Sequence, residues 1–268
     1  MLRDKSIGCI GAGNMGSAII AHLSKNIDRN NISIFDIDEE KIEYVKKNYN
    51  IVTHYTLQGL TDRSDIIIIA VKPDILPSVV KEIKGQLAKK IIVSIAAGIA
   101  ISTIEDILKT PHKIVRVMPN MPAMIGSGMS VISPNINVEE ESLNMVLEIF
   151  SYLGKVMILS EEYMDAVTAL SGCGPAYGFM LIQAMTDSGV RMGIPRDKAL
   201  ILSAQTILGA AEMLIRTGED PVVLRGRVTS PGGATIEAVH MLERLAFSGI
   251  VMDAIEAAKT RSKELGLK

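Results

Sequence analysis

Two glycine turns are the parts of this chain best suited to chemistry, and both are suited to holding anions. The first is VTSPGGATIEAVHMLE, residues 228–243. Ser230, Pro231, Gly232 and Gly233 form a turn without bulky side chains, after which Ile236, Val239 and Leu242 recur at helical spacing. A helix is therefore predicted to start near Thr235. Its first N–H groups have no partner inside the helix and point back at the Gly-Gly turn. Missing Cβ atoms there admit a ligand, and the helix dipole favours negative charge. A carboxylate or a phosphate would be held. The same residues also suit a plain helix-to-helix connection capped by Ser or Thr, so the rest of the chain has to decide.

The second turn lies near the N-terminus. Residues 6–10, SIGCI, read as a short apolar strand, and Gly11, Gly13 and Gly16 follow as G-x-G-x-x-G. Met15, Ala18, Ile19 and Leu23 then mark out a helical face, and residues 32–35 read as a second strand leading to Asp36. This is a strand-helix-strand unit with the dinucleotide-binding pattern. Gly11 allows the tight turn, Gly13 lets the backbone approach a pyrophosphate, and Gly16 lets helix and strand pack closely. The helix N-terminus meets the negative charge. Asp36 is placed to accept hydrogen bonds from the adenosine ribose hydroxyls and to repel a 2′-phosphate, which favours NADH over NADPH. Lys41 nearby would soften that repulsion.

The elements that must position these turns follow from hydrophobic periodicity. Residues 66–71, 91–95 and 114–118 are rich in β-branched side chains and almost continuously apolar, the pattern of central parallel strands covered on both faces. Ligands of such sheets bind at the carboxyl ends of the strands, where Val71-Lys72-Pro73, Ala96-Ala97-Gly98 and Pro119-Asn120-Met121-Pro122 fall. Small residues and prolines there can wall in a flat nicotinamide ring, although each segment also reads as ordinary loop punctuation. Two further strands are predicted at 129–132 and 156–159, with an amphipathic helix over 139–153 between them. Beyond Ser160 only helical periodicity remains, in segments from Met164, Ala176, Asp197, Thr235 and Val251 onward.

The expected fold is thus α/β: a doubly wound Rossmann-type sheet over residues 1–160, then an all-helical domain over residues 161–268. Ala204, Gly209, Ala210 and Ala211 let helices approach closely, and the surplus of apolar helix suggests a subunit interface.

Composition bounds the function. The chain has 268 residues, 48% hydrophobic and 22% charged, enough to bury a large core in two domains. Its net charge of -2 and its 4% aromatic content argue against nucleic acid as a partner. Cys9 and Cys173 lie far apart, so neither a disulfide framework nor a cysteine zinc site is supported. None of His22, His54, His112 and His240 falls in a metal-spaced cluster or an evident triad, so no metal is expected. The first residues lack a secretory apolar stretch and read as cytoplasmic. The longest apolar run, residues 91–101, is interrupted by Ser94 and Gly98 and falls short of the roughly 20 residues of a membrane helix, so no span is expected.

In order along the chain, IGAGNMGSAI, AVKP, SIAAGI, RVMPNMPAMIGSG, DAVTALSGCGPAY, GAAEML and VTSPGGATIEAVHMLE resemble the pyrroline-5-carboxylate reductase family over essentially the full length. The resemblance implies NAD(P)H-dependent reduction of the cyclic imine 1-pyrroline-5-carboxylate to L-proline, the last step of proline biosynthesis. It also implies a homodimer formed through the helical domain, with a ring of dimers as the alternative. The substrate carboxylate would be held by the Ser230 hydroxyl and the backbone N–H groups of Gly233, Ala234 and Thr235, with Thr235 hydrogen-bonded to the ring nitrogen. Glu161 would be an acid on the substrate side or one layer behind it. Cofactor contacts would come from Gly11, Gly13, Asn14, Met15, Gly16, Val71, Lys72 and Ala97, with Asp36 added on local physics. Cys173 replaces a Ser frequent in the family, and Met121 replaces the usual Thr.

Such chemistry fits the absence of an acid–base pair. A protonated imine is already electrophilic, so hydride transfer mainly requires two carbons held close and aligned. A β-hydroxyacid dehydrogenase would share the Rossmann-plus-helices plan. Such an enzyme resembles its relatives in a helix with a catalytic Lys and an Asn four residues on, which ALSGCGPAY lacks. A non-catalytic dinucleotide sensor would have no use for a carboxylate cradle.

Overall fold

The computed structural model describes residue 2 and residues 4–266. It contains one eight-stranded sheet, in the order β3-β2-β1-β4-β5-β6-β7-β8. The strands are β1 (Ile7–Ile10), β2 (Ile32–Phe35), β3 (Val52–Thr53), β4 (Ile66–Ile69), β5 (Ile91–Ser94), β6 (Lys113–Met118), β7 (Gly128–Pro134) and β8 (Gly154–Ile158). Between them run α1 (Asn14–Asn26), α2 (Glu39–Tyr49), α3 (Leu57–Arg63), α4 (Leu76–Ile83), α5 (Ile101–Leu108) and α6 (Glu140–Ser151). The first six strands are parallel, and the reversal in chain direction of the strand order at β1 is the doubly wound switch point.

β1, β4 and β5 are buried at every position, because α1 and α6 cover one face and α3, α4 and α5 the other. Ile7 and Cys9 belong to one core and Ile10 to the other, so the period-two pleat divides a single apolar strand between two cores.

β3, of two residues, is too short to leave a periodic signal. β7 is antiparallel to β6, and β8 is parallel to β7. The chain passes from β6 to β7 through the short 3-10 turn Met121–Ile125, without the long crossover that a parallel pair needs.

The chain divides into two compact units. One runs to Cys173 and takes back the chain from Ala258 onward; the other is Gly174–Ala257. This compact boundary falls later than the sequence division at residue 160. The segment after Ser160, with α7 (Met164–Val167) and a π-helical turn (Thr168–Gly172), packs Met164 and Val167 against Val131 of the sheet.

The second unit holds α8 (Gly174–Arg191), α9 (Arg196–Thr217), α10 (Pro221–Arg227), α11 (Ala234–Arg244) and the larger part of α12 (Phe247–Gly266). α8 and α9 approach closely through small residues: a Cβ on Gly189 would lie 2.9 Å from Ala199 Cβ. Their outer faces stay apolar, with Phe179, Met180, Ile201, Leu208 and Ile215 all exposed. α9 is long and apolar enough to cross a membrane by length and composition, and only 11% of its apolar 18-residue stretch is buried within this chain. Counting uninterrupted apolar runs misses this helix, because Ser203, Gln205 and Glu212 interrupt it. An apolar face of this extent needs a partner surface.

Candidate active site

The six parallel strands β1–β6 point their carboxyl ends to one edge of the sheet. Ile10 pairs in register with Phe35 and Ile69, and Ile69 with Ser94, so the segments that follow leave the same edge. The glycine turn is built there for close approach. Gly11 has φ +106°, open to glycine at little cost, and a Cβ on it would stand 2.6 Å from the Ala70 carbonyl oxygen. A Cβ on Gly16 would stand 2.0 Å from the Gly11 carbonyl oxygen, so α1 packs on the turn only because residue 16 has no side chain. Gly13 differs: nothing lies within 4 Å of the position its Cβ would occupy. It N-caps α1 with no side-chain hydrogen bond. Open space beside an uncapped helix start is what a pyrophosphate requires, so these residues fit a dinucleotide. Asn14 is exposed and Met15 half-buried at the same helix start.

Asp36 is engaged by the backbone around it. Its Oδ2 accepts a hydrogen bond from the Ala12 N–H at 2.6 Å, and its Oδ1 accepts one from the Asp38 N–H at 2.9 Å. The acid at the tip of β2 thus braces the glycine turn itself. Lys41 pairs with Asp38 at 3.1 Å on the surface. That pairing holds the Lys41 amine above its ordinary pKa, with the field of Asp36 adding to it. Burial, and secondarily the charge of Asp36, push the Cys9 thiol below the turn up to about 12. Val71 and Ala97 are half-buried and Lys72 is exposed, all in the segments that follow β4 and β5 at this edge.

In the second unit, Gly232 has φ +67° and Gly233 N-caps α11 with no side-chain hydrogen bond. α11 begins at Ala234, one residue before the predicted start. The capped connection considered above is absent, so the first N–H groups of α11 are not claimed by a Ser or Thr. The Ser230 side chain folds over the turn, where a Cβ on residue 233 would stand 2.3 Å from Ser230 Oγ. Ser230 is exposed and Thr235 half-buried. Ser230, Gly233, Ala234 and Thr235 therefore share one turn and helix start.

Glu161 belongs to the first unit and is already engaged there. Its Oε1 accepts from Arg116 Nη1 at 3.2 Å and from the N–H of Ile101, the first residue of α5, at 2.6 Å. Arg116 itself is only 6% exposed and was not singled out above. The signal for it was a cation in the middle of the apolar run IVRVM, where an ion is tolerated only with a partner.

A doubly wound sheet whose switch point carries this glycine cradle, joined to a helical unit with a glycine turn ahead of an uncapped helix, defines an NAD(P)-dependent oxidoreductase. The pyrroline-5-carboxylate reductase dimerisation family matches residues 161–265, and the coenzyme F420-dependent NADP oxidoreductase family matches residues 6–98. The chain is 42% identical to the pyrroline-5-carboxylate reductase of Methanosarcina acetivorans, over 100% of both chains, and 38% identical to that of Escherichia coli, over 98% of both. Among solved structures, the Plasmodium falciparum pyrroline carboxylate reductase with NADP bound superposes with a TM-score of 0.90 at 35% identity, covering 98% of this chain and 99% of the other. The chain belongs to the pyrroline-5-carboxylate reductase family.

Proposed function

We propose that this chain reduces 1-pyrroline-5-carboxylate to L-proline with NAD(P)H, as the reductase that closes proline biosynthesis. The observation that carries the reading is the uncapped start of α11 behind the Ser230–Gly233 turn, an anion cradle in a chain whose other unit has the dinucleotide cradle. When bound, a reduced nicotinamide would supply a hydride to the carbon of the protonated imine, whose C=N electron pair would pass to nitrogen and leave a neutral amine. The chain's own residues bind and orient. The Ser230 hydroxyl and the N–H groups of Gly233, Ala234 and Thr235 hold the substrate carboxylate, favoured by the helix dipole. The Thr235 hydroxyl hydrogen-bonds the ring nitrogen and fixes which face of the imine is offered.

Gly11, Gly13, Asn14, Met15 and Gly16 hold the pyrophosphate, with Asp36 on the adenosine ribose and Val71, Lys72 and Ala97 lining the nicotinamide side. Each Asp36 oxygen accepts one backbone hydrogen bond and keeps capacity for a ribose hydroxyl, which supports a preference for NADH. Glu161, whose Oε1 accepts from Arg116 and Ile101, stands as an acid on the substrate side or one layer behind it. We assign residues 1–160 to dinucleotide binding and residues 161–268 to substrate binding and dimerisation. The working form is a cytoplasmic homodimer through the helical unit, with a ring of dimers as the larger alternative.

The test is loss of nicotinamide absorbance with 1-pyrroline-5-carboxylate, NADH and NADPH compared at equal concentration, and L-proline identified as product. Thr235→Ala should lower kcat/KM about tenfold, the worth of one good hydrogen bond, with NADH affinity unchanged. Folded protein that binds dinucleotide yet yields no proline would overturn the assignment, and an unchanged kcat/KM would remove Thr235 from the site.

A further inference from the structure

The loop from Ile95 to Ala100, between β5 and α5, carries Ala97 and is held from outside by residues with no assigned part in catalysis. α5 gets no cap from its own Ala100. The acceptor at its first turn comes from far along the chain, as Glu161 Oε1 takes the Ile101 N–H at 2.6 Å while the buried Arg116 holds Glu161 from the sheet side. On the other flank lies the last turn of α12. Gly98, at φ +77°, sits so close that a Cβ on it would stand 3.2 Å from the Ser262 carbonyl oxygen and 3.5 Å from Leu265 Cβ. A Cβ on Gly266 would stand 2.2 Å from the Gly98 carbonyl oxygen, so backbone rests on backbone. The two flanks are joined, since Ser262, 4% exposed, donates from Oγ to Asp165 Oδ1 at 2.8 Å, four residues past Glu161.

We propose that Asp165, Ser262 and Gly266, together with the Arg116–Glu161 pair, are positioning residues for the nicotinamide end of the cofactor. They clamp the Ile95–Ala100 loop so that Ala97 presents a fixed wall to the ring. The proposal rests on the reading above that Ala97 lines the nicotinamide side. A loop with a glycine at positive φ moves at low cost, while hydride transfer loses rate steeply with misplacement on the ångström scale. A support that touches neither substrate nor cofactor resolves that conflict. The last turn of α12 thereby supports the cofactor site without touching it.

The experiment compares the full-length enzyme with Ser262→Ala, Asp165→Asn, Gly266→Ala and Ser262→Thr. It measures affinity for NADH and for ADP-ribose, which shares the adenosine and pyrophosphate but lacks the nicotinamide. The expected result is NADH affinity weakened about tenfold in the first three variants, KM for NADH raised to match, and ADP-ribose affinity unchanged. Ser262→Thr, which keeps the hydroxyl, should restore NADH affinity. NADH affinity equal to wild type in all the variants would overturn the proposal. So would parallel loss of NADH and ADP-ribose affinity, which marks general loosening of the unit. Ala97→Val separates the two layers: if it leaves NADH affinity unchanged, the placement of the loop beside the nicotinamide falls, and the clamp falls with it. If Ala97→Val weakens NADH and the clamp variants do not, only the clamp is overturned.

Discussion

Gly13 and Gly16 stand three residues apart in one turn, yet replacing each with Ala should fail in different ways. At Gly16 the new Cβ would meet the Gly11 carbonyl oxygen at 2.0 Å, and an ordinary carbon–oxygen contact is about 3.3 Å. The helix start or the turn must therefore give by roughly 1.3 Å. Overpacking of this kind costs about 1–3 kcal/mol, so the melting temperature should drop by about 3–10 °C, and dinucleotide binding should fall with it. At Gly13 the Cβ would meet nothing within 4 Å, and the backbone, at φ −70° and ψ −173°, suits any residue. The lower cap quality of Ala is offset by the smaller entropy of the unfolded chain, each about 0.5–1 kcal/mol. Gly13→Ala should thus melt like the wild type.

Its Cβ occupies the space a pyrophosphate would use, and losing one charged hydrogen bond, about 1.5–3 kcal/mol, weakens NADH roughly 10- to 150-fold. Fluorescence titration with NADH, alongside thermal melts of both variants, reads the two effects separately. A Gly13→Ala protein that binds NADH as tightly as the wild type would refute the placement of the pyrophosphate at this helix start.

Asp36→Ala should raise the NADPH-to-NADH ratio of kcat/KM. Because Asp36 also braces the Ala12 and Asp38 N–H groups, it should lower the melting temperature by a few degrees, about what two lost backbone hydrogen bonds cost; an unchanged cofactor ratio would take Asp36 off the ribose. Cys9, pushed up to about 12 from an ordinary 9.0, stays protonated in the fold at a pH where the unfolded thiol has ionised. Its contribution is intact below pH 9 and is lost as pH rises toward 12, at most about 1.4 kcal/mol per pH unit. Urea unfolding in that window should therefore show a shallower decline with pH in Cys9→Ala. Leu208 is 58% exposed on α9, with Ile201 and Ile215 seven residues to either side on the same face. Leu208→Glu should convert dimer to monomer by analytical ultracentrifugation at micromolar concentration, and an unaltered dimer would move the interface to another face.

Much of the first unit was legible in the residues. Strand 32–35 was read to the residue, and the strands at 66–71 and 91–95 began at the predicted residues, because buried parallel strands carry unbroken β-branched runs that polar loops interrupt. The dinucleotide turn was legible for a similar reason: helix packing and ligand approach demand glycine at fixed spacing, and no other residue substitutes. The anion turn at 230–235 was legible as a possibility, but a capped connection has the same wording. The folded chain leaves the first turn of α11 without a side-chain cap, which removes one reason for the turn and leaves the anion reading as the proposal.

What stayed hidden depends on residues far apart in the chain. The reversal of β7 follows from how a short turn lets the chain double back, not from the composition of the strand. The bonds of Asp36 to Ala12, of Glu161 to Ile101 and Arg116, and of Ser262 to Asp165 join residues separated by 24 to 97 positions. Their types are those of ordinary surface polar residues. Periodicity reports which side of an element faces the core, because burial acts on each element along its own length. Which carboxylate meets which N–H is settled by the packing of several elements at once, and that belongs to the tertiary structure alone.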